Sequence, residues 1–201
     1  MNHDYFCQAV DIIKKIKLFA LEDDWIIMSD PSDKTVLKKK YFPEVSETAC
    51  YFMIKQVNKS DDYLINREWR MTEEEVKKHD STIVSSTDIE FGLDWRIVHQ
   101  VNSICWPIWP RDLVFTQFKI IDGNTTWIVG NSIEHIHAPC NPLEYIRATI
   151  HMTAWGFTPI NQNKTMVTRV LFVDPHGNIP EYFINATISR HVNIVNNLDK
   201  N

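Results

Sequence analysis

Apolar residues recur at helical spacing at the two ends of this chain and follow strand-like patterns in between. In residues 4–21 the apolar positions fall near one stripe, which predicts an amphipathic helix packed on an apolar surface. The stripe contains Phe6, Val10, Ile13, Lys17 and Leu21, with Ala9, Ile16 and Ala20 beside it. Beyond Pro180 the helical spacing returns and predicts a final helix that lays its apolar side on a sheet, at Ile184, Ile188, Val192 and Val195.

Most of the chain between these helices has the β-branched and aromatic residues typical of strands. Strands are predicted at residues 25–28, 35–40, 49–57, 82–89, 95–101, 113–121, 125–133, 145–157 and 166–173. The polar segment 60–79 predicts one or two helices, with Thr72 as an N-cap and Glu75 as its capping-box partner. Asp122-Gly123 is a strong hairpin signal. This order predicts an α+β fold in which a strongly curved antiparallel sheet grips a helix.

Length and composition predict one domain over residues 1–201. A chain of 201 residues with 44% hydrophobic residues is large enough to enclose a ligand-sized interior. Its apolar runs are too short to span a bilayer, and lysines at 14, 15 and 17 make the N-terminal segment unlike a signal peptide. The cysteines are widely spaced, which favours free thiols in a cytoplasmic protein. They are Cys7, Cys50, Cys105 and Cys140.

Charge and motif content argue against several classes of function. A net charge of -5 disfavours a nucleic-acid-binding surface, because such a surface would repel phosphates. His135 and His137 lie two residues apart, with Cys140 and His151 nearby, but no second spaced pair accompanies them. We therefore expect neither a metal nor another cofactor.

The acidic and hydroxyl side chains do not predict an enzyme. Asp112 follows Arg111 and is expected to form a structural ion pair rather than to act as a general base. Ser132, Glu134 and His135 contain acid-base groups, but one strand cannot supply an assignable pair of nucleophile and base.

Six spaced motifs between Trp106 and Arg190 resemble those of the StAR-related lipid-transfer (START) family, in the same order. They include Trp-Pro-Ile-Trp-Pro-Arg-Asp at 106–112, Ser-Ile-Glu-His at 132–135, Trp-Gly-Phe-Thr-Pro at 155–159 and Asp-Pro-His-Gly-Asn-Ile-Pro at 174–180. The resemblance extends from about Lys77 to Ser189, with His79 where the family usually has tryptophan. It implies a helix-grip fold with an N-terminal helix, an enclosed cavity for one lipid, and the C-terminal helix as its lid.

The same resemblance implies where this chain would contact lipid and membrane. The expected lipid-binding residues are Val98, Leu113, Phe115, Gln117, Trp127, Ile150, Phe172, Ile184, Ile188 and Val192. Loops 103–110 and 174–180 are expected to gate the cavity. Trp106, Ile108 and Trp109, with Ile104 beside them, crowd the first loop and are expected to insert at a membrane interface.

One position bears on the choice of lipid. Sterol-binding members often have a buried arginine where this chain has Gln117, paired with an acidic residue at about the position of Val98. We therefore expect a phospholipid, carried between membranes by a monomer that contacts them transiently and is otherwise cytoplasmic. A lipid-gated sensor or tether, and a helix-grip enzyme related to cyclases or thioesterases, are the alternatives.

Overall fold

Long antiparallel strands form the body of the molecule in the computed structural model, which describes residues 3–30, 32–103 and 106–200. Within these residues the helices are His3–Ala20 (α1), Asp61–Trp69 (α2), Glu73–His79 (α3) and Glu181–Asn196 (α4), and a 3₁₀ turn follows at Asn197–Asp199. The strands are Ile26–Ile27 (β1), Val36–Tyr41 (β2), Ala49–Val57 (β3), Ile83–Phe91 (β4), Trp95–Asn102 (β5), Arg111–Asp122 (β6), Thr125–Gly130 (β7), Ile146–Arg147 (β8), Thr149–Asn161 (β9) and Lys164–Asp174 (β10). The predicted α+β order is confirmed.

The strands form one sheet in the order β1-β2-β3-β10-β9-β7-β6-β5-β4. Pairing along this path is antiparallel, and β8 joins β6 in parallel off the path. The β6–β7 hairpin turns at Asp122 and Gly123, as predicted, and Gly123 has a φ of 63° that a residue without a Cβ adopts freely. At α3, Thr72 and Glu75 form the predicted capping box.

Helix α1 covers one face of the sheet. It buries Ala9, Ile12, Ile13 and Ile16, which recur at the spacing of a single helix face. The predicted stripe was partly wrong, because Lys17 and Leu21 are exposed, Leu21 by 79%. A strict four-residue repeat drifts around a helix with 3.6 residues per turn, so the true stripe alternates steps of three and four.

Helix α4 lies over the opposite face and packs against a second apolar core. Ile188 and Val195 of α4 join β3, β9 and β10 residues there, and Leu64 of α2 and Leu198 close the same cluster. Successive side chains of a strand point to opposite faces, so each long strand supplies both cores. The N-terminal helix and the C-terminal helix thus lie on opposite sides of one sheet.

Candidate functional site

A cavity of about 730 Å³ lies between the sheet and α4. Strands β5, β6, β9 and β10 form one wall, α4 forms another, and the α2–α3 region closes the remaining side. The apolar part of the lining includes Val98, Leu113, Phe115, Ile128, Ile150, Leu171, Ile184 and Ile188. A concave site with apolar walls and polar groups at defined places is the usual form of a small-molecule site.

Seven of the residues predicted from the sequence as lipid contacts line this cavity. They are Val98, Leu113, Phe115, Gln117, Ile150, Ile184 and Ile188. The alternation of β6 explains three of them, since residues 113, 115 and 117 point to one face of the strand. Lipid contact itself remains a prediction for these residues.

The placement of Trp127 and Phe172 at the cavity was wrong. Both side chains belong to the core under α1, and their neighbours Ile128 and Leu171 line the cavity instead. The indole of Trp127 lies against Gly156, where a Cβ would come within 2.6 Å of the ring. A shift of one residue along a strand moves a side chain to the other face, which is why apolarity alone misplaced these two.

The prediction for Val192 was also wrong. It packs against the second core, beside Val195, whereas His191 faces the cavity. Helix positions one residue apart point about 100° away from each other, so an apolar residue next to the cavity-facing stripe can still miss the cavity.

Sequence reasoning missed a set of charged side chains in the cavity lining. They include Glu68 of α2, Arg96 of β5, Arg169 of β10 and His191 of α4. The burial of Arg169 could have been predicted from the sequence. It lies two residues from both Val167 and Leu171, so the three side chains share one face of the strand, and both neighbours are buried in the α4-side core. An arginine at such a position must find partners inside the fold.

Arg169 is buried and has only neutral hydrogen-bond partners among the described residues. Its Nη1 donates to Thr153 Oγ1 at 2.7 Å and to the carbonyls of Ala154 and Val170, both at 3.0 Å. The guanidinium stacks over the Trp155 ring at 4.8 Å, and its buried Nε has no partner. Burial lowers the pKa of Arg169 to about 10, so the group stays cationic at neutral pH.

Glu68 and His191 have strongly shifted ionisation. Burial raises the pKa of Glu68 to about 7, against the opposing influence of Arg67 and Arg169. Its Oε1 has no hydrogen-bond partner. Burial, reinforced by Arg169, holds the pKa of His191 well below its ordinary value of 6.5. At neutral pH this part of the cavity thus contains the cation of Arg169, the half-ionised carboxyl of Glu68 and the neutral imidazole of His191.

The family resemblance predicted that Gln117 pairs with about Val98, but the structure gives Gln117 another partner. Its partner across the β5–β6 pair is Arg96, whose Nε donates to Gln117 Oε1 at 2.7 Å, and Val98 pairs with Phe115. The expected partner of Gln117 was therefore wrong by two residues along β5. A cation is present at this end of the cavity after all, contributed by β5 rather than β6.

Arg111 connects the two predicted gate loops. Its Nη1 donates to the Trp109 carbonyl, while Nε and Nη2 donate to the carbonyls of Pro175 and His176 at 3.0 and 2.8 Å. One buried guanidinium thus ties the segment before β6 to the loop before α4. Its pKa is lowered by burial.

The tryptophans of the first loop lie at the surface. Trp106 is 92% exposed and Trp109 is 53% exposed, whereas Ile108 is partly buried. Ile104, which was predicted to lie beside them, and Cys105 are outside the described residues. Exposed indoles of this kind are unusual on a surface that only faces water.

Two other sets of polar residues have local partners. Asp112 is buried and accepts two hydrogen bonds from Arg147, at 3.0 and 2.7 Å, which is the structural ion-pair role that was predicted. His135 and His137 come together with Glu90, the three ligand atoms lying within 4.8 Å of one another, and His135 pairs with Glu90 at 3.1 Å. His151 packs instead against Phe172.

Comparisons with known proteins add to this geometry. The family model for the START domain matches residues 22–198. Human StAR-related lipid transfer protein 5 superposes with a TM-score of 0.83 at 16% identity, over 100% of this chain and 97% of that one. The lipid transfer and protein localization domain of human StarD13 (DLC2) gives 0.72 at 19% identity, over 100% and 98%. A StAR-related lipid transfer protein fragment from Xanthomonas axonopodis gives 0.71 at 16% identity, over 88% and 97%.

At identities this low, the superpositions show that the fold is shared and nothing more. No curated protein sequence matches the chain. Among the described residues, no helix combines the length and apolarity needed to cross a bilayer.

Proposed function

This chain belongs to the START domain family, and on that premise we propose that it binds one lipid, a phospholipid in preference, and transfers it between membranes. We also propose that residues 1–201 form one cytoplasmic, monomeric domain that contacts membranes at their surface and needs no cofactor. The observation that carries it is the cavity of about 730 Å³ between the sheet and α4. This volume lies within the range of about 300 to 1,000 Å³ typical of sites for a single ligand.

The energetics of acyl chains explain why such a carrier needs an enclosed cavity. Each CH₂ group moved from water to an apolar setting contributes about 0.8 kcal/mol, so two chains of about sixteen carbons represent roughly 25 kcal/mol. Only a site that covers nearly the whole lipid can hold it in water. The apolar walls from β5, β6, β10 and α4 support this role.

The polar groups of the cavity support a phospholipid rather than a sterol. Arg96 and Arg169 line the cavity, and guanidinium groups match the oxygens of a phosphate. Arg96 also has Asp88 as an acidic partner at 3.7 Å, whereas a sterol, with only one hydroxyl, would leave Arg169 without an anionic partner. The preference for a phospholipid is therefore attributed to the cavity arginines and not to Gln117 and Val98.

We propose that Trp106, Ile108 and Trp109 dock on the membrane. The two indoles are exposed, and Arg111 links this loop to residues 174–180 next to the cavity. Each side chain contributes up to about 1.5 to 3 kcal/mol on entering an apolar phase, enough together for reversible docking. Docking at this loop would place the membrane beside the start of α4.

An enzymatic role has less support. Glu68 and His191 both line the cavity, but no hydrogen bond joins them among the described residues. A nucleophile or general base is normally oriented by such a contact. A lipid-gated sensor would share the cavity and differ in holding its lipid instead of exchanging it.

Native mass spectrometry and vesicle assays test the proposal. The purified chain is expected to carry one lipid and to move labelled phospholipid from donor to acceptor vesicles. A protein that stays empty with phospholipids, sphingolipids, sterols and fatty acids would contradict lipid binding. Tight binding without transfer would instead favour the sensor.

A further inference from the structure

A buried arginine without a carboxylate partner is the unusual feature of the cavity. No Asp or Glu oxygen lies within 4.0 Å of Arg169 in the part of the chain that the structure describes, although the residue is buried. Three neutral oxygens occupy Nη1, and the buried Nε has no partner. A buried cation is normally paired, because its desolvation is otherwise uncompensated.

Arg169 lies away from the gate loops. On β10, Val173 lines the cavity next to Pro175, and Arg169 lines it four residues earlier in the strand. At about 3.3 Å per residue this places Arg169 about 13 Å from the gate end of the strand. Between them Leu171 also faces the cavity. A ligand that reaches Arg169 must therefore have an apolar body between its charged end and the gate.

The ionisable groups around Arg169 come from several elements. Glu68 and Arg67 belong to α2, His79 and Asp80 lie at the end of α3, and Arg190 and His191 belong to α4. Asp80 is already engaged by the backbone and hydroxyl of Thr82, at 3.0 and 2.7 Å, and by Arg190 at 3.6 Å. Glu68 is thus the acidic group that interacts with Arg169, but it also lies beside Arg67, whose Nε is 3.9 Å from Glu68 Oε1, and Oε1 makes no hydrogen bond.

We propose that Arg169 binds an anionic oxygen group of the ligand, a carboxylate or a phosphate, so that the charged end of the lipid lies at the inner end of the cavity. This inference rests on the proposed lipid-binding function and names its ligand class. The anion would accept from the free N–H of Arg169, and Trp155 would hold the guanidinium plane in place from its other side.

Glu68 would modulate this site. Its ionised carboxylate competes with a bound anion for the field of Arg169, and its protonated form donates a hydrogen bond to that anion. Binding of an acidic lipid is therefore expected to weaken as pH rises through the pKa of Glu68, which is about 7. A neutral lipid has no reason to show this dependence.

The test uses two pairs of probes, each an acidic lipid and a neutral lipid with the same acyl chains. Oleate is compared with methyl oleate, and dioctanoyl phosphatidate with dioctanoyl glycerol, by calorimetric titration of the full chain. The variants are Arg169→Gln and Glu68→Gln. Arg70→Gln and Glu74→Gln are matched controls, because both residues are exposed and lie outside the cavity lining.

Arg169→Gln is expected to weaken binding of the acidic probe by about 10- to 100-fold, the effect of one charge-assisted hydrogen bond, and to leave the neutral probe unchanged. Glu68→Gln is expected to tighten binding of the acidic probe several-fold at pH 8 and to remove its pH dependence. If Arg169→Gln does not fold, Glu68→Gln decides alone. Preference for oleate identifies a carboxylate ligand, and preference for phosphatidate identifies a phosphate.

The outcomes separate this inference from the proposed function. Equal affinity for acidic and neutral probes, or equal losses for both in the variants, would overturn the anion site and leave the lipid cavity in place. Absence of binding by all four probes would overturn both.

Discussion

Glu68 and His191 make folding stability depend on pH in opposite directions. The pKa of Glu68 is raised from 4.5 to about 7, so its contribution to stability is complete below pH 4.5 and is lost as pH rises through 7. The pKa of His191 is lowered from 6.5, so its contribution is present above pH 6.5 and is lost as pH falls. The two effects partly cancel, and single substitutions should separate them.

Glu68→Gln is expected to become more stable relative to the parent as pH rises. The variant keeps a neutral side chain where the parent must bury a carboxylate, and the gain between pH 4.5 and 8 is on the order of 3 kcal/mol. Urea unfolding of ligand-free protein at a series of pH values measures it. A variant–parent difference that does not change with pH would show that Glu68 is solvated.

His191→Gln is expected to behave in the opposite way. Below pH 6.5 His191 is protonated in the unfolded parent but stays neutral in the folded parent, which lowers the unfolding free energy. The variant has no such group, so its unfolding free energy does not fall for this reason. The variant–parent difference in unfolding free energy should therefore increase by on the order of 2 kcal/mol as pH falls from 7 to 4.5. His3→Gln at the exposed N-terminus is the control. If the variant–parent difference in unfolding free energy instead increases as pH rises, the pKa of His191 is not lowered in the folded protein.

At the scale of elements, α4 is held at its C-terminal end and free of side-chain capping at its N-terminal end. Lys55 of β3 has a buried side chain that donates to the Asn196 carbonyl at 2.9 Å and pairs with Asp199 at 2.6 Å. Pro180 at the other end makes no side-chain capping bond. A cation at a helix C-terminus also interacts favourably with the helix dipole. Opening of the lid should therefore begin at the gate.

Amide exchange should show this asymmetry. Residues 185–188 are expected to exchange faster than residues 192–196 in the empty protein, and lipid should protect the first group most. Lys55→Met should increase exchange at residues 192–196 and lower the unfolding free energy by about 1 to 3 kcal/mol, whereas Lys164→Met at an exposed position should not. Uniform protection along α4 with and without lipid would argue against a lid.

The loop of Trp106 and Trp109 allows a direct test of docking. Trp106→Ala with Trp109→Ala should slow vesicle-to-vesicle transfer at least tenfold, because about 3 kcal/mol or more of membrane contact is lost. The fold and the bound lipid should be retained. Phe91→Ala with Leu93→Ala removes two equally exposed apolar residues at the far end of β5 and should transfer at the parental rate. Parental transfer by the tryptophan variant would locate docking elsewhere.

At the scale of the whole molecule, a ligand in the cavity between the sheet and α4 should stabilise the entire fold. A lipid present at about 100 times its Kd adds about 2.7 kcal/mol, which raises Tm by about 5 to 10 °C for a chain of this size. We expect this shift with phosphatidylcholine and a smaller one with cholesterol, because a sterol leaves Arg169 without an anionic partner. A larger shift with cholesterol would reject the phospholipid preference and leave the fold assignment intact.

Local patterns were sufficient to predict most elements. The capping box at Thr72, the hairpin at Asp122-Gly123 and the terminal stripe of Ile184 and Ile188 each depend on residues near one another in the chain, and all appear in the structure. The face of Leu113, Phe115 and Gln117 was predictable for the same reason. Where several apolar residues are consecutive, as at Trp127 and Phe172, the sequence did not show which residues of the strand face α1 and which face α4.

The sequence by itself determined the family, the order of elements and the alternation within strands, because these follow from short-range spacing and from motifs written in the chain. The tertiary structure alone decided that Gln117 meets Arg96, that Arg111 joins two loops, and that Arg169 lies among neutral partners near Glu68 and His191. These groups are separated by up to about half of the chain. Their contacts and their pKa values depend on register and burial, which exist only once the sheet has closed around α4.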